Sequence, residues 1–251
     1  MKSEELAAAI QQYLKKHGFG AWCPKAVLFD MDGVLYDSMS NHAIAWQEAM
    51  AQFGITMTAH DAYMTEGQRG TDTIRQMVKQ QRGIDISQDE AQRIYDEKSR
   101  RFHAMKEAPL MPGITDVMEQ ITAAGRHIGV VTGSGQRPLL ARLRRDFSTF
   151  VSPDHIVTAY NVTRGKPEPD PYLAGLHMMG DLQPWEAIVV ENAPLGIRAG
   201  VAAQIFTIAV NTGPLPDSLL AEAGANLIFK SMDELRTCIV ELEHIGERNS
   251  Q

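Results

Sequence analysis

The chain has 251 residues, 44% of them hydrophobic, which is enough for one large domain or for a core with an insertion. Its formal net charge of -7 and pI near 5.6 argue against nucleic acid or a membrane surface as the main partner. Cys23 and Cys238 fit no CxxC pattern, so we expect no zinc site or disulfide framework, and a cytoplasmic protein. No apolar run approaches the roughly 20 residues of a membrane-spanning helix.

The first predicted element is an amphipathic helix from Ser3 to His17. Acidic residues lie in its first turn, basic residues lie in its last turn, and Gly18 follows it. We expect residues 1–24 to form an accessory N-terminal segment ahead of the first core strand.

Two carboxylates follow the next element, a buried strand predicted over residues 25–29. Asp30 and Asp32 are spaced i and i+2, so they start on one side of the strand before the turn at Gly33. Two acids leaving a hydrophobic strand are costly unless a cation neutralises them, and Mg²⁺ prefers such oxygen ligands. A carboxylate beside that ion can also attack phosphorus.

The region over residues 41–106 differs from the rest of the chain. It contains no convincing strand and is rich in Gln, Glu, Arg and Met at helical spacing. We predict an all-helical insertion here. The chain then returns through a proline-rich connector at residues 108–113, which suits a hinge. The core domain is predicted to comprise residues 25–40 and 107–251.

Later apolar runs predict further core strands at residues 128–131, 156–160, 187–190, 206–210 and 227–229. Helical patterns follow several of these runs, for example at residues 114–124 and 170–179. Alternation of buried strands and helices predicts an α/β doubly wound parallel sheet. Ligands of such sheets bind at the carboxyl ends of the strands.

Polar residues stand at several of these strand ends. Thr132 and Gly133 offer a hydroxyl and backbone N–H groups to an anion, although an ordinary strand-to-helix turn has the same composition. Lys166 lies among prolines that fix the backbone, and this favours a held phosphate-neutralising side chain over a solvated one. Glu191 and Asn192 are both candidate Mg²⁺ ligands, and Asn192 is also a candidate cap for the next helix.

Four motifs in this order, DMDGVLYDS, VVTGSG, GKPEPDPY and VVENAPLGIRAG, resemble the haloacid-dehalogenase-like (HAD-like) phosphohydrolase superfamily, in the branch related to β-phosphoglucomutase. The resemblance covers nearly the whole chain after about residue 24. It implies a Rossmann-like parallel sheet, a helical cap formed by the insertion, and dependence on Mg²⁺.

The resemblance also implies roles for single residues. Asp30 matches the nucleophile that forms an aspartyl-phosphate, and Asp32 matches the general acid/base, with both aspartates contributing to the metal site. Thr132, Gly133 and Lys166 match the binding site of the transferring phosphoryl group. The metal pair is matched by Glu191 and Asn192, and a histidine near the acid/base residue is matched by His42, for which a helix-surface position is the alternative.

Two positions depart from the family pattern. The usual acidic metal pair is Glu-Asp or Asp-Asp, whereas this chain has Asn192 as the second member. The mutases carry a Lys and an Arg in the cap loop, and the aligned positions here are Glu66 and Gly70. We hypothesise that Glu66 reaches the metal and restores the charge missing at Asn192, and that Arg69 faces the leaving group.

The sequence therefore predicts a Mg²⁺-dependent phosphohydrolase that works through an aspartyl-phosphate. The expected partner is pyrophosphate or a short phosphate monoester, as in the pyrophosphatase-like members of the branch. A β-phosphoglucomutase is the alternative within the same machinery. A non-catalytic phosphometabolite-binding protein is the alternative of another class, and the intact pair Asp30 and Asp32 argues against it.

Overall fold

A six-stranded sheet forms the centre of the structure, a computed structural model that describes residues 3–248. The strands are β1 (Ala26–Phe29), β2 (His127–Val131), β3 (Val151–Val157), β4 (Ala187–Glu191), β5 (Phe206–Val210) and β6 (Leu227–Phe229). They lie in the order β3-β2-β1-β4-β5-β6, and every neighbouring pair is parallel. The central strands are short apolar runs because both faces of the sheet are covered.

The helices are α1 (Ser3–His17), α2 (Met39–Gln52), α3 (Ala59–Met64), α4 (Gly70–Arg82), α5 (Gln88–Ala104), α6 (Ile114–Ala123), α7 (Arg137–Asp146), α8 (Asp170–Met178), α9 (Pro194–Ala202), α10 (Asp217–Glu222) and α11 (Met232–Arg248). Alternate residues of the strands face opposite sides, so each side has its own core. Val27 packs with α1, α6 and α11 on one side, and Leu28 packs with α8 and α9 on the other. The α/β parallel fold predicted from the sequence is confirmed.

The four helices α2 to α5 lie between β1 and β2 and have an apolar cluster of their own, which includes Trp46, Met50, Ile74 and Ile94. The start of α2 is hydrogen-bonded to the segment that follows α5: Asn41 Nδ2 donates to the Lys106 carbonyl (2.9 Å). We refer to α2 to α5 as the cap, and its limits at residues 41 and 106 stay a prediction.

The N-terminal helix α1 packs on the core rather than standing free. Leu6, Ile10 and Tyr13 are buried, and the Tyr13 hydroxyl donates to the Gln204 carbonyl (2.8 Å). Its apolar stripe is therefore used within the chain. No helix in the described part of the chain is both long and apolar enough to cross a bilayer.

Two local predictions were wrong. The strand expected at residues 156–160 is β3, which ends at Val157 because the next residues turn: Asn161 Oδ1 accepts from both the backbone N–H and the hydroxyl of Thr158. The strand begins earlier than its apolar run because Pro153 is tolerated at the sheet edge. Asn192 does not cap α9, since the N-cap position is Ala193.

Candidate active site

The candidate residues meet at the carboxyl end of the sheet, where the strand order reverses on either side of β1. Asp30 follows β1, Thr132 follows β2, and Glu191 is the last residue of β4. All three are buried, with side chains drawn from neighbouring strands. This is the place where parallel α/β sheets bind their ligands.

Lys166 joins the ends of three strands, β1, β2 and β4. Its ammonium donates to Asp30 Oδ1 (2.5 Å), to Glu191 Oε1 (2.6 Å) and to the Val131 carbonyl (3.0 Å). An ammonium has three N–H donors, so all three are directed at fixed acceptors. Burial lowers the pKa of Lys166 and the two carboxylates raise it, and the net shift is upward, so this side chain is a permanent cation.

The Glu191 carboxylate accepts three hydrogen bonds within the protein. Its Oε1 also accepts from the Tyr172 hydroxyl (2.7 Å), and its Oε2 accepts from the Asn192 backbone N–H (3.1 Å). A Cβ at Gly196 would overlap the Glu191 carboxylate, so only glycine at this position of α9 leaves room for the carboxylate. Glu191 orients Lys166 in this structure, and its role as a metal ligand stays a prediction.

Asp32 is held by a chain of donors that leads into the cap. Its Oδ1 accepts from the Ser38 hydroxyl (2.6 Å) and lies 3.0 Å from His42 Nε2. On the other side of the ring, Lys98 Nζ lies 2.7 Å from His42 Nδ1. Since an ammonium only donates, Nδ1 is the acceptor and Nε2 carries the proton that points at Asp32. His42 is therefore buried beside Asp32 and not on the helix surface.

Lys98 is a site residue that sequence reasoning missed. It is 2% exposed, and its ammonium lies 5.0 Å from the ring centroids of both Trp46 and Phe102. A signal was present, because the buried face of α5 consists of Ala91, Ile94, Lys98 and Phe102 at helical spacing. A lysine within that apolar series requires a partner inside the protein.

The charges of the site perturb each other's protonation. Burial, reinforced by Glu191 and Asp32, raises the pKa of Asp30 to about 7 despite Lys166. Burial alone would raise the pKa of Asp32, but His42, Ser38 and Lys98 hold it at about 2. Burial lowers the pKa of Lys98 to about 8.

The loop between α3 and α4 closes the cap over the strand ends. A Cβ at Gly133 would overlap the Gly67 carbonyl, and one at Gly67 would lie 3.0 Å from Lys166 Cδ. The loop therefore packs directly on the phosphoryl-binding candidates. Because this packing buries Asp30 and Lys166, a substrate has to enter before the loop closes.

A small cavity of about 40 Å³ remains between the cap and the core, which we name the inner cavity. Its walls include Asp32, His42, Trp46, Glu66, Lys98 and Thr132. The Thr132 hydroxyl oxygen accepts from the Ser134 N–H (3.0 Å), which orients the hydroxyl. Burial, together with Asp32 and Asp30, raises the pKa of Glu66 well above its usual range, as expected for a carboxylate facing other carboxylates.

Arg69 does not take the place predicted for it. Its side chain donates to Asp72 Oδ2 (2.7 Å) and to the Thr163 carbonyl (2.6 Å), and it is not among the residues that line the inner cavity. It is used to fasten the cap to the core and does not face the inner cavity. The prediction failed because Asp72, one turn along α4, draws the guanidinium away from the cavity.

The residues present fit a magnesium ion. Two buried oxygen atoms, Asp30 Oδ2 and Asn192 Oδ1, have no hydrogen-bond partner in the structure. Oxygen atoms of this kind are the ligands that Mg²⁺ prefers. Over residues 3–248 no group of three or more His, Cys, Asp or Glu side chains is arranged as a metal site, so a metal here would depend on the Asn192 amide and on backbone oxygen.

Comparisons with known proteins agree with this fold. The family model described as "Haloacid dehalogenase-like hydrolase" matches residues 27–210. The chain is similar to hexitol phosphatase A of Escherichia coli, with 32% identity over 84% of this chain and 93% of the relative. It is also similar to β-phosphoglucomutase of Bacillus subtilis, with 27% identity over 84% of this chain and 91% of the relative.

Among solved structures, one from Bacteroides vulgatus, provisionally described as a β-phosphoglucomutase, superposes with a TM-score of 0.93. It shares 45% sequence identity and covers 97% of this chain and 99% of its own. The similarity therefore includes the N-terminal helix and the cap as well as the sheet.

Proposed function

We propose, since this chain belongs to the haloacid dehalogenase-like hydrolase family, that it is a Mg²⁺-dependent phosphohydrolase acting through an aspartyl-phosphate. The family and its phosphatase and phosphoglucomutase relatives make the chain a phosphatase or phosphotransferase. The nucleophile, the metal and the substrate are the proposed parts.

One observation carries the assignment of the nucleophile. Asp30 Oδ1 is fixed by Lys166, whereas Asp30 Oδ2 is buried without a partner. A buried carboxylate oxygen left unpaired is costly, and such groups are kept where they serve chemistry. We assign the Asp30 carboxylate as the group that attacks phosphorus, with Lys166 and the Thr132 hydroxyl neutralising and orienting the phosphoryl oxygens.

Asp32 is assigned as the general acid/base. It lines the inner cavity, where the leaving group would sit, and it lies two residues from the nucleophile. Because its low pKa leaves it ionised in the free protein, in the first half-reaction it would take up a proton from the bound substrate or from solvent and pass it to the leaving oxygen. In the second half-reaction it removes one from the attacking water. We assign His42 and Lys98 as positioning residues of Asp32, since His42 contacts Asp32 directly and Lys98 acts through the imidazole ring.

The metal would be held by Asp30, by Asn192 and, as the family resemblance implies, by the backbone carbonyl of Asp32. When bound, Mg²⁺ supplies positive charge that offsets repulsion between the aspartate and the phosphate. An added positive charge would balance the site, because four carboxylates (Asp30, Asp32, Glu66 and Glu191) and two ammonium groups (Lys98 and Lys166) of the described residues meet there. The raised pKa values of Asp30 and Glu66 fit the same excess of negative charge.

Glu66 is proposed as an additional contributor to the metal site. It lines the inner cavity and its pKa responds to both Asp30 and Asp32, so its carboxylate lies within electrostatic reach of both groups. At this position the Glu66 carboxylate can supply the negative charge that the neutral amide of Asn192 lacks. Because Glu66 is carried by the cap loop, closure of the cap would complete the site.

The proposed substrates are pyrophosphate and short phosphate monoesters. An inner cavity of about 40 Å³ leaves little room for a leaving group, which favours a small one. The phosphorylated hexitol in the name of the Escherichia coli relative adds short polyol phosphates to the candidates.

A β-phosphoglucomutase is the second candidate, because the Bacillus subtilis relative bears that name and Asp32, His42 and Lys98 serve either reaction. Arg69 argues against it. A mutase must hold the second phosphate of its intermediate, and the Arg69 guanidinium is bound to Asp72 and to Thr163.

The test is a phosphate-release screen of purified protein with and without Mg²⁺. The panel contains pyrophosphate, acetyl phosphate, glycerol phosphates, hexitol 6-phosphate and β-glucose 1-phosphate. The Asp30→Asn variant is the blank. Release of phosphate from one of the small substrates, dependent on Mg²⁺ and absent in the blank, supports the proposal. Glucose 6-phosphate as the main product would favour the mutase, and binding without turnover of any substrate would favour a non-catalytic binder.

A further inference from the structure

One hydrogen bond joins α5 of the cap to the start of α7 in the core beside the inner cavity. Gln136, at the start of α7, donates from Nε2 to the hydroxyl of Tyr95 on α5 (3.1 Å). Gln136 is 8% exposed, and its Oε1 has no partner in the structure. The two side chains come from different parts of the fold, so this bond exists only when the cap is closed.

The pair stands between two spaces. The inner cavity of about 40 Å³ lies on one side, and a larger open groove of about 560 Å³, which we name the outer groove, lies on the other. Tyr95, Gln136, Gly70 and Gly133 line both spaces. The remainder of the outer groove is mostly polar and includes Arg69, Gln88, Gln92, Ser99, Arg137 and Tyr160.

The Tyr95 ring is held in its position by its neighbours. A Cβ at Gly70 would overlap the ring, so the ring lies flat against a backbone that has no side chain there. On another side the Trp46 ring lies with its centroid 6.3 Å away. The ring is therefore a wall of the inner cavity and not a freely rotating surface group, and its hydroxyl is the part that Gln136 fastens.

We propose that Tyr95 and Gln136 form a gate that sets the size of the leaving group. With the gate shut, the inner cavity holds a leaving group no larger than a phosphate or a short chain. With the gate open, a polyhydroxylated chain extends from Asp32 into the polar outer groove. This inference rests on the proposed function, since it concerns the leaving group of that reaction.

The chemistry of both sides supports this reading of the gate. The unpaired Gln136 Oε1 is a hydrogen-bond acceptor, which a hydroxyl of a polyol satisfies and a fully ionised phosphate does not. The outer groove offers side-chain amides and hydroxyls, which suit a polyol better than an apolar chain. The gate is held by one neutral hydrogen bond, from Gln136 to Tyr95. Such a bond is weak, so hydrogen bonds to a bound polyol can take its place.

The experiment compares kcat/KM for hexitol 6-phosphate with kcat/KM for pyrophosphate. Tyr95→Ala is expected to raise this ratio about tenfold or more, because it joins the two spaces. Gln136→Ala is expected to raise it about threefold, because it also opens the gate but removes the acceptor for a polyol hydroxyl. Tyr95→Phe keeps the ring and is expected to raise it less. Gln80→Ala, at an exposed position on α4 that lines neither space, is the matched control and is expected to leave the ratio within about twofold of wild type.

The gate is rejected if Tyr95→Ala and Gln136→Ala, both folded by circular dichroism, keep the wild-type ratio. The same ratio is measured as affinities by calorimetry in an Asp30→Asn background, so the gate is tested even without turnover. Wild-type protein that releases no phosphate from any substrate rejects the proposed function, whereas active wild-type protein with unchanged ratios in the variants rejects the gate alone.

Discussion

Lys98 Nζ lies 2.7 Å from Nδ1 of His42, and both side chains are buried. Because the ammonium can only donate, this contact fixes the tautomer in which the other ring nitrogen points its proton at Asp32. The acid/base candidate of the core is thereby oriented by a residue of α5, at the far end of the cap sequence. Cap structure and proton transfer are coupled through one imidazole.

Replacing Lys98 by Met is expected to lower kcat about 10- to 100-fold, with KM changed by less than about threefold. Methionine keeps the packing against Trp46 and Phe102 but leaves His42 free to adopt the other tautomer. Steady-state kinetics on the best substrate of the screen measures the effect. Lys79→Met, at an exposed lysine on α4, is the control, and equal behaviour of the two variants would refute the positioning role.

Lys98 also predicts a pH dependence of stability. Its pKa is lowered to about 8 in the folded protein by burial, whereas an unfolded lysine has a pKa of about 10.4. Between these values the unfolded chain binds more protons, so this residue makes the folded state more stable as pH rises from 8 towards 10. Below pH 8 the buried charge is a full cost.

The check is urea denaturation of wild type and Lys98→Met at pH 7 and at pH 10. We expect the wild type to gain stability relative to the variant at pH 10, by up to a few kcal/mol. The comparison cancels other groups that titrate in this range. A difference between the two proteins that is independent of pH would show that Lys98 is not charged and buried as described.

Glu66 and Asn192 are expected to be coupled through the metal. Glu66→Gln removes the carboxylate of the cap loop and should raise the Mg²⁺ concentration for half-maximal activity about tenfold. Adding Asn192→Asp restores a negative charge and should recover most of the affinity. Calorimetric titration of Mg²⁺ measures the same change without substrate.

Glu119→Gln, at an exposed position on α6, is the control for loss of one negative charge. An apparent Mg²⁺ affinity in Glu66→Gln that equals the affinity of this control would remove Glu66 from the metal site.

Gly133→Ala tests whether the closed cap is the working state. The added Cβ would overlap the Gly67 carbonyl, so it should hold the cap loop off the core and lower kcat/KM about tenfold or more. The melting temperature should change little, because the conflict is relieved by moving a surface loop. Gly20→Ala meets no atom within 4 Å and is the matched glycine control. Full activity in Gly133→Ala would mean that chemistry does not need this contact.

The sheet was predictable because its strands are buried on both faces, which leaves short continuous apolar runs at β1, β2, β4 and β5. The same rule placed the candidate residues, since a polar residue directly after such a run must lie at the edge of the sheet. The strand β3 broke the rule, because it is an edge strand with Ser, Pro and Asp in its first half.

Contacts within the cap, and contacts between the cap and the core, could not be derived from local sequence. Within the cap the ammonium of Lys98 meets His42 across 56 positions, and between the cap and the core Gln136 meets Tyr95 across 41. Arg69 shows the opposite error, because its loop position indicated a substrate contact while Asp72 and Thr163 bind the guanidinium. The strand ends can be read from the chain, but the inner wall of the cavity depends on how two separately folded parts dock.

The most direct test of the account is to trap the phosphorylated enzyme. Asp32→Asn with acetyl phosphate and Mg²⁺ is suited to this, because that leaving group needs little protonation and the variant activates water poorly. Mass spectrometry of peptides from acid-quenched protein is expected to find one phosphoryl group on the peptide that contains Asp30, and none in Asp30→Asn. An adduct on another residue, or hydrolysis that persists in Asp30→Asn, would contradict the account.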